Sequence, residues 1–262
     1  MLGRLRWSAA PLLAAVGWLA SACSVVPSPR PLLVAAAVSL ADPLREISAA
    51  APSQSGSPVQ FQLASSGALQ QQILQGAPVD VFISAGKRQM DALQSAGLLL
   101  PGSRRELLSN ELVLAVPLRS TRRTLAFQDL ARPDLRSIAI GDPSVPAGDY
   151  ARQVLTTLRL TAAVSPRLVP LGSARAVARA VADGQVEAGL MYRTDARAEE
   201  GLLITAVAPA GSHAPIRYAG AVLKISPASA AARAYLRTLA EPAAMSSFRR
   251  HGFGVPEPSP QP

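Results

Sequence analysis

The stretch LLVAAAVSLADPLREI, residues 32–47, changes from one structural period to another at a single serine. Leu32 to Val38 is an uninterrupted apolar run, the pattern of a strand buried on both faces of a parallel sheet. From Ser39 onward the apolar residues Leu40, Leu44 and Ile47 recur at helical spacing. Ser39 and Asp42 stand as a capping-box-like pair, and Pro43 is tolerable within a first turn. The joint repeats downstream. Val59 to Leu63 alternates as a strand, and in ASSGALQQQILQG a helix is opened by Ser65 or Ser66 and stopped by Gly76. Val79–Ser84 reads as the next strand and Gln89–Ala96 as the next helix, closed by Gly97. This β-α-β-α order predicts an α/β protein with mostly parallel sheets and helices on their faces.

After an apolar strand from Glu111 to Pro117 the alternation resumes. Ile138–Ile140 leads into GDPSVPAGDYARQVLTTL, where Pro146 sits near the first helical position and Tyr150, Val154 and Leu158 form a stripe. Leu168-Val169 leads into LGSARAVARAVADG, capped by Ser173 and stopped by Gly184. Strands are predicted at Ala188–Tyr192, Leu202–Val207 and Ala219–Ile225, with a last helix from Ala228 to about Leu239. Two similar α/β units thus follow one another, with the runs at Glu111 and Leu203 as crossing points. That pattern predicts two lobes hinged about a cleft.

Four of the strand-to-helix joints are built from small residues: AVSLADP at Ala37, ASSGAL at Ala64, VPAGDY at Val145 and LGSARAV at Leu171. A helix start leaves backbone N–H groups without partners and carries roughly half a unit of positive charge. Sheets of this kind bind ligands beyond the carboxyl ends of their strands, so four such starts could surround one small oxyanion. Ser39, Ser66 and Tyr192 supply hydroxyls there, and Ala147 and Ala174 supply backbone N–H groups. Each also has a plain reading. Ser39, Ser66 and Ser173 fit simple helix caps, Tyr192 a core aromatic at a strand end, and Pro146-Ala147-Gly148 an entry turn. What argues for a ligand is their joint occurrence at equivalent places.

The first residues hold Arg4 and Arg6, an apolar stretch from Ala9 to Ala20, and small residues up to Ala22-Cys23. This is the three-part pattern of a secretory signal over 1–22, with an apolar part too short for a membrane span. Ala20-Ser21-Ala22 fits ordinary cleavage. Cys23, the only cysteine, fits lipid attachment instead, although Ala20 stands where a lipoprotein signal usually has Leu. Both readings stay open. A single cysteine permits no internal disulfide. The Pro- and Ser-rich linker over 23–31 precedes the first lobe, expected over 32–111 plus about 205–262, with the second lobe over 112–204.

The net charge is +9, and Lys87 and Lys224 are the only lysines. A basic surface suits an anionic ligand, but the arginines are scattered and aromatics are sparse, which argues against a nucleic-acid partner. His213 and His251 belong to no metal-ligand spacing, and no nucleophile elbow, dinucleotide fingerprint or P-loop is present. A binding protein without a cofactor is therefore favoured over an enzyme. An enzyme on the same scaffold would use an acid such as Asp149 or Asp195 near the cleft.

In order along the chain, AAAVSL, ASSGALQQQILQGAPVDVFISAG, NELVLAVP, GDPSVPAGDYA and AGLMYRTDA resemble the periplasmic molybdate-binding proteins of ABC uptake systems. The resemblance runs from about Leu32 to the terminal FRRHGFGV. It implies a two-lobed periplasmic-binding fold, type II-like, holding molybdate and often tungstate between lobes and delivering it to a membrane permease. It also implies a periplasmic or envelope-attached monomer. By position it carries the oxyanion site onto Ser39, Ser66, Ala147, Ala174 and Tyr192, with molybdenum entering only as the centre of that oxyanion. Two departures stand out. One residue, Ser144, lies between GDP and VPAG where the family commonly has two, and Ala174 replaces a frequent valine. Sulfate or phosphate in place of molybdate is the alternative that sequence pattern leaves open.

Overall fold

The computed structural model describes residues 30–50 and 58–255; the signal segment, Cys23 and the linker before Arg30 lie outside the described residues. The elements are β1 (Leu32–Ala37), α1 (Ala41–Ala50), β2 (Val59–Ala64), α2 (Ser66–Leu74), β3 (Val81–Ser84), α3 (Lys87–Ser95), β4 (Arg105–Asn110) and β5 (Leu112–Pro117). Then come β6 (Ile138–Gly141), α4 (Pro146–Thr157), α5 (Thr161–Val164), β7 (Leu168–Leu171), α6 (Ala174–Ala182), β8 (Ala188–Tyr192), α7 (Arg193–Ala198) and β9 (Leu202–Val207). The chain closes with β10 (Ile216–Val222), α8 (Ser229–Thr238) and α9 (Pro242–Arg250).

These strands form two five-stranded sheets of matching plan, β2-β1-β3-β10-β4 and β7-β6-β8-β5-β9. In each, three strands run parallel: β1 pairs with β2 and β3, and β6 pairs with β7 and β8. The remaining pairs are antiparallel, β10 with β3 and β4, and β5 with β8 and β9. The sheets are thus mixed where the chain crosses between lobes. One crossing runs from β4 through Glu111 into β5. The other follows β9, which stays in the second sheet through Val207, so Leu203 lies inside a strand of that sheet.

The alternation of strand side chains puts helices on both faces of each sheet. In the first, Phe82 points toward Leu69 and Ile73 of α2 and Met90 and Leu93 of α3. Its neighbours Val81 and Ile83 point the other way, into a core with Leu44 of α1, Leu236 of α8 and Phe248 of α9. In the second, Val113, Ala139 and Met191 pack with Val177 and Val181 of α6. Leu114, Ile140 and Leu190 face Val154 and Leu155 of α4. Each such large side chain, removed from water, contributes about 1.5–3 kcal/mol.

Gly76, Gly97 and Gly184 end their helices with φ of 91°, 69° and 72°, a left-handed turn that other residues adopt at a cost. Several elements differ from expectation. β3 starts at Val81, α3 at Lys87, and β10 spans Ile216–Val222. β4, α5, α7 and α9 are additional to those expected. β4, RELLSN, buries only Leu107 and Leu108 and so lacks the apolar run that marks the inner strands. Among the described residues no helix is long and apolar enough to cross a membrane.

Candidate functional site

Ser39 does not cap α1. Val38–Leu40 forms a turn of 3-10 helix ahead of α1, with no side-chain cap, because the chain leaves β1 already curled before α1 begins. The Ser39 hydroxyl instead meets the Tyr218 hydroxyl at 2.9 Å, and Asp42 is drawn outward to Arg175 at 2.8 Å. In α2 the two adjacent serines divide the work. Ser65 is the N-cap, accepting from the Ala68 N–H at 3.3 Å, while Ser66 accepts from the Ala85 N–H at 3.0 Å. Ser173 caps α6 by accepting from the Ala176 N–H at 3.1 Å. Of the three cap readings, only that of Ser173 describes its hydroxyl.

The five sequence-predicted residues lie along the seam between the lobes, all of them buried. Ser39 and Ser66 come from the first lobe. Tyr192, at the end of β8, reaches across to donate to the Ala85 carbonyl at 3.1 Å. Ala147 stands second in α4, whose start abuts α2 and α3 of the other lobe. A Cβ added to Gly67 would lie 2.1 Å from the Ser144 carbonyl oxygen, and one on Gly86 would lie 2.7 Å from Pro146. Ala174 opens α6, which packs against the turn carrying Ser39. The contacts therefore link Ser66 to Ala85, Ala85 to Tyr192, and, through rings 5.8 Å apart, Tyr192 to Tyr218 and Ser39.

The short loop before Ala147 is a compact turn. Ser144 donates both its N–H and its hydroxyl to Asp142 Oδ1, each at 2.7 Å, and the Val145 N–H donates to the Asp142 carbonyl at 3.0 Å. One residue suffices to reach Pro146, and the Ser144 carbonyl is left facing Gly67.

Hydrogen-bond direction defines what the serines can offer. Asn110 Oδ1 accepts from the Glu111 N–H at 2.9 Å, so its Nδ2 is the end that donates to Thr194 at 2.9 Å and to the Tyr218 hydroxyl at 3.1 Å. Tyr218 then has one proton and one further neighbour, Ser39. Turning that bond around would leave a buried phenolic proton without an acceptor, at about 1–3 kcal/mol. Ser39 is thus the acceptor, and its own proton is free to donate elsewhere. Ser66 accepts from Ala85 with the same result. Burial, chiefly, holds the Tyr192 and Tyr218 hydroxyls far above the usual phenol range, so both stay protonated donors.

Charge is kept to the flanks and arranged reciprocally across the seam. Arg88 of the first lobe pairs with Asp149 of the second at 2.7 Å and donates to the Pro143 carbonyl at 2.8 Å. Arg175 of the second lobe pairs with Asp42 of the first. Behind it Asp195, wholly buried and without a hydrogen-bond partner, faces the Arg175 guanidinium at 3.6 Å. Burial pushes the Asp195 carboxyl up to about 7 and Asp149 upward from its ordinary value, with Arg175 and Arg88 opposing. Asp149 is therefore bonded to its arginine, whereas Asp195 only faces one. Among the described residues no group of three His, Cys, Asp or Glu side chains is placed to hold a metal ion.

Tyr218, Asn110 and Arg175 escape a reading of the chain in order. Tyr218 and Ser39 are 179 residues apart, and Arg175 and Asp42 are 133 apart. Only the adjacency of Arg175 to Ala174, and of Asn110 to the crossing at Glu111, could have drawn attention to them.

A family model described as bacterial extracellular solute-binding protein matches residues 32–254. The molybdate-binding protein ModA of Escherichia coli (strain K12) is 32% identical over 86% of this chain and 89% of its own. That of Haemophilus influenzae is 32% identical over 95% of this chain and 97% of its own. The solved periplasmic molybdate-binding protein of Azotobacter vinelandii superposes with a TM-score of 0.76 at 26% identity, covering 86% of this chain and all of that one.

Proposed function

The chain belongs to the bacterial extracellular solute-binding protein family, and from that membership we propose that it captures molybdate between its two lobes and delivers it to the permease of an ABC transporter. Tungstate, of the same shape and charge, is taken as well. The seat is formed by the hydroxyls of Ser39 and Ser66 and the backbone N–H groups of Ala147 and Ala174, with Tyr192 joining it when its proton turns from the Ala85 carbonyl to the ligand. The supporting observation is the direction of the two serine bonds. Ser66 accepts from the Ala85 N–H, and Ser39 accepts where Tyr218 donates to it, so the proton of each serine is left for a ligand. A fully ionised oxyanion accepts and donates nothing, so such groups suit it without a counter-ion. The helix starts at Ala147 and Ala174 add their partial positive charge from the opposite lobe.

Closure follows from the same geometry. Tyr192 and the two arginine pairs tie the lobes together around the seat, and ligand bound by both lobes favours that closed form. The protein is exported by its N-terminal signal, works as a monomer, binds without reaction, and is either cleaved after Ala22 or held to the envelope by lipid on Cys23.

The molybdenum content of protein equilibrated with molybdate and then freed of excess tests the reading. One molybdenum per chain, reduced sharply in Ser66→Ala, is expected; content at the level of a non-binding control protein would contradict it.

A further inference from the structure

Two carboxylates, one from each lobe, face a single guanidinium. Arg175, beside Ala174 in the first turn of α6, pairs through Nη2 with Asp42 of the first lobe at 2.8 Å. Its Nε is turned back into the second lobe, 3.6 Å from Asp195 Oδ1, too far for a hydrogen bond, and has no other partner. Both Asp195 oxygens are likewise buried and unbonded. A carboxylate left in that state is costly when ionised and far less so when neutral. No second cation serves it. Tyr192 of β8 and Tyr218 of β10 stand near it as neutral phenols, and β5 and β9, which pack on α7, carry no ionisable side chain. Of the remaining arginines on α6 and α7, Arg179 is paired with Asp183, Arg193 with Glu111, and Arg197 lies exposed against Gly252. Glu199 adds only a further negative charge, felt by Arg175.

We propose that Asp42 and Asp195 compete for Arg175, so that closure of the lobes hands the guanidinium to Asp42 while Asp195 takes a proton from solvent in exchange. The inference rests on the capture reading above. With the lobes apart, Asp42 is withdrawn with α1, and Arg175 turns to Asp195, which stays ionised. With the lobes together Arg175 is held by Asp42, and Asp195 keeps only its buried place. One ion pair is traded for another, and the solvent proton joins an Asp195 oxygen. Burial lifts this carboxyl to about 7 in the closed form, which puts the exchange near neutral pH. A group raised in the closed form favours closure below that value and ceases to favour it as pH climbs through it, so capture weakens with rising pH. Both acids are positioning residues, acting through Arg175 and the helix start it shares with Ala174.

Calorimetric titration with sodium molybdate, repeated near neutral pH in buffers of different ionisation enthalpy, counts the protons taken up on binding. The wild type should take up about half a proton per chain at about pH 7, and its affinity should fall roughly tenfold between about pH 6 and about pH 8. Asp195→Asn, which imitates the protonated acid, should take up none and show a flat pH profile. Asp42→Asn should flatten the profile too, although it lies in the other lobe, because Arg175 then stays with Asp195 whether the lobes are open or closed. A wild type that takes up no proton, or a slope that survives in either variant, would overturn the assignment. A merely structural Asp195 gives weaker binding with the slope unchanged. Should Asp195→Asn fail to fold by its thermal melt, Asp42→Asn decides by the same criterion. Wild-type protein that ignores molybdate at every pH overturns the underlying reading instead, and the wild-type titration alone reveals it.

Discussion

The Tyr192 hydroxyl, carried by β8 of the second lobe, donates to the Ala85 carbonyl of the first lobe at 3.1 Å, and the Ala85 N–H donates in turn to Ser66 Oγ. One residue of the first lobe thus joins a site residue from each side of the cleft. Tyr192→Phe removes the cross-lobe bond, and with it the hydroxyl placed beside the seat, while keeping the ring. Molybdate affinity should fall roughly tenfold to a hundredfold, and unfolding free energy by only about 0.5–1.5 kcal/mol. Paired titration and denaturant unfolding measure both.

The reciprocal ion pairs make closure sensitive to salt. Arg88–Asp149 and Arg175–Asp42 are partly exposed, so each contributes about 0.2–1 kcal/mol. Asp42→Asn or Arg88→Gln should speed molybdate release roughly two- to fivefold at low salt. The gap between wild type and variant should narrow as salt rises. Stopped-flow dissociation across a sodium chloride series checks this.

Gly67 lies where the lobes touch. A methyl there would meet the Ser144 carbonyl at 2.1 Å, a backbone atom that cannot swing aside. Gly67→Ala should leave the fold of each lobe intact and prop the cleft open, weakening molybdate by roughly tenfold or more. Small-angle scattering should show a variant that stays expanded when molybdate is added, whereas the wild type contracts.

Asp195 predicts a pH dependence. Its carboxyl is raised by burial from 3.8 to about 7. The folded state therefore holds a proton that the unfolded chain releases, and stability falls as pH climbs from about 4 to about 7. The loss is at most on the order of 4 kcal/mol. Asp195→Asn should flatten thermal stability across that window. Glu46, lowered to about 2 by His251 and then Arg250, and Asp134, lowered to about 2 by Arg132 and Arg122, act in a separate window below it with the opposite sign.

Much of this architecture is legible in order along the chain because it is local. Apolar runs ending at Ser39, Ser65, Pro146 and Ser173 mark the strand-to-helix joints, and Gly76, Gly97 and Gly184 mark where helices stop. What a serine does once placed is less legible. Ser39, Ser66 and Ser173 look alike in sequence, yet a 3-10 turn diverts the first, a second serine takes over capping for the next, and only the third is a cap. The mixed sheets, the Tyr218–Ser39 contact and the arginine pairs depend on contacts between distant segments, which local periodicity does not carry. Edge strand β4 is hidden because only part of it is buried.

The central claim is that a cleft of neutral donors selects a fully ionised, molybdate-sized anion. Calorimetric titration of the purified protein with molybdate, tungstate, sulfate and phosphate tests it most directly. The account predicts tight one-to-one binding of molybdate and tungstate, with sulfate and phosphate much weaker. Binding of sulfate or phosphate in preference to molybdate, or of none of the four, would contradict it.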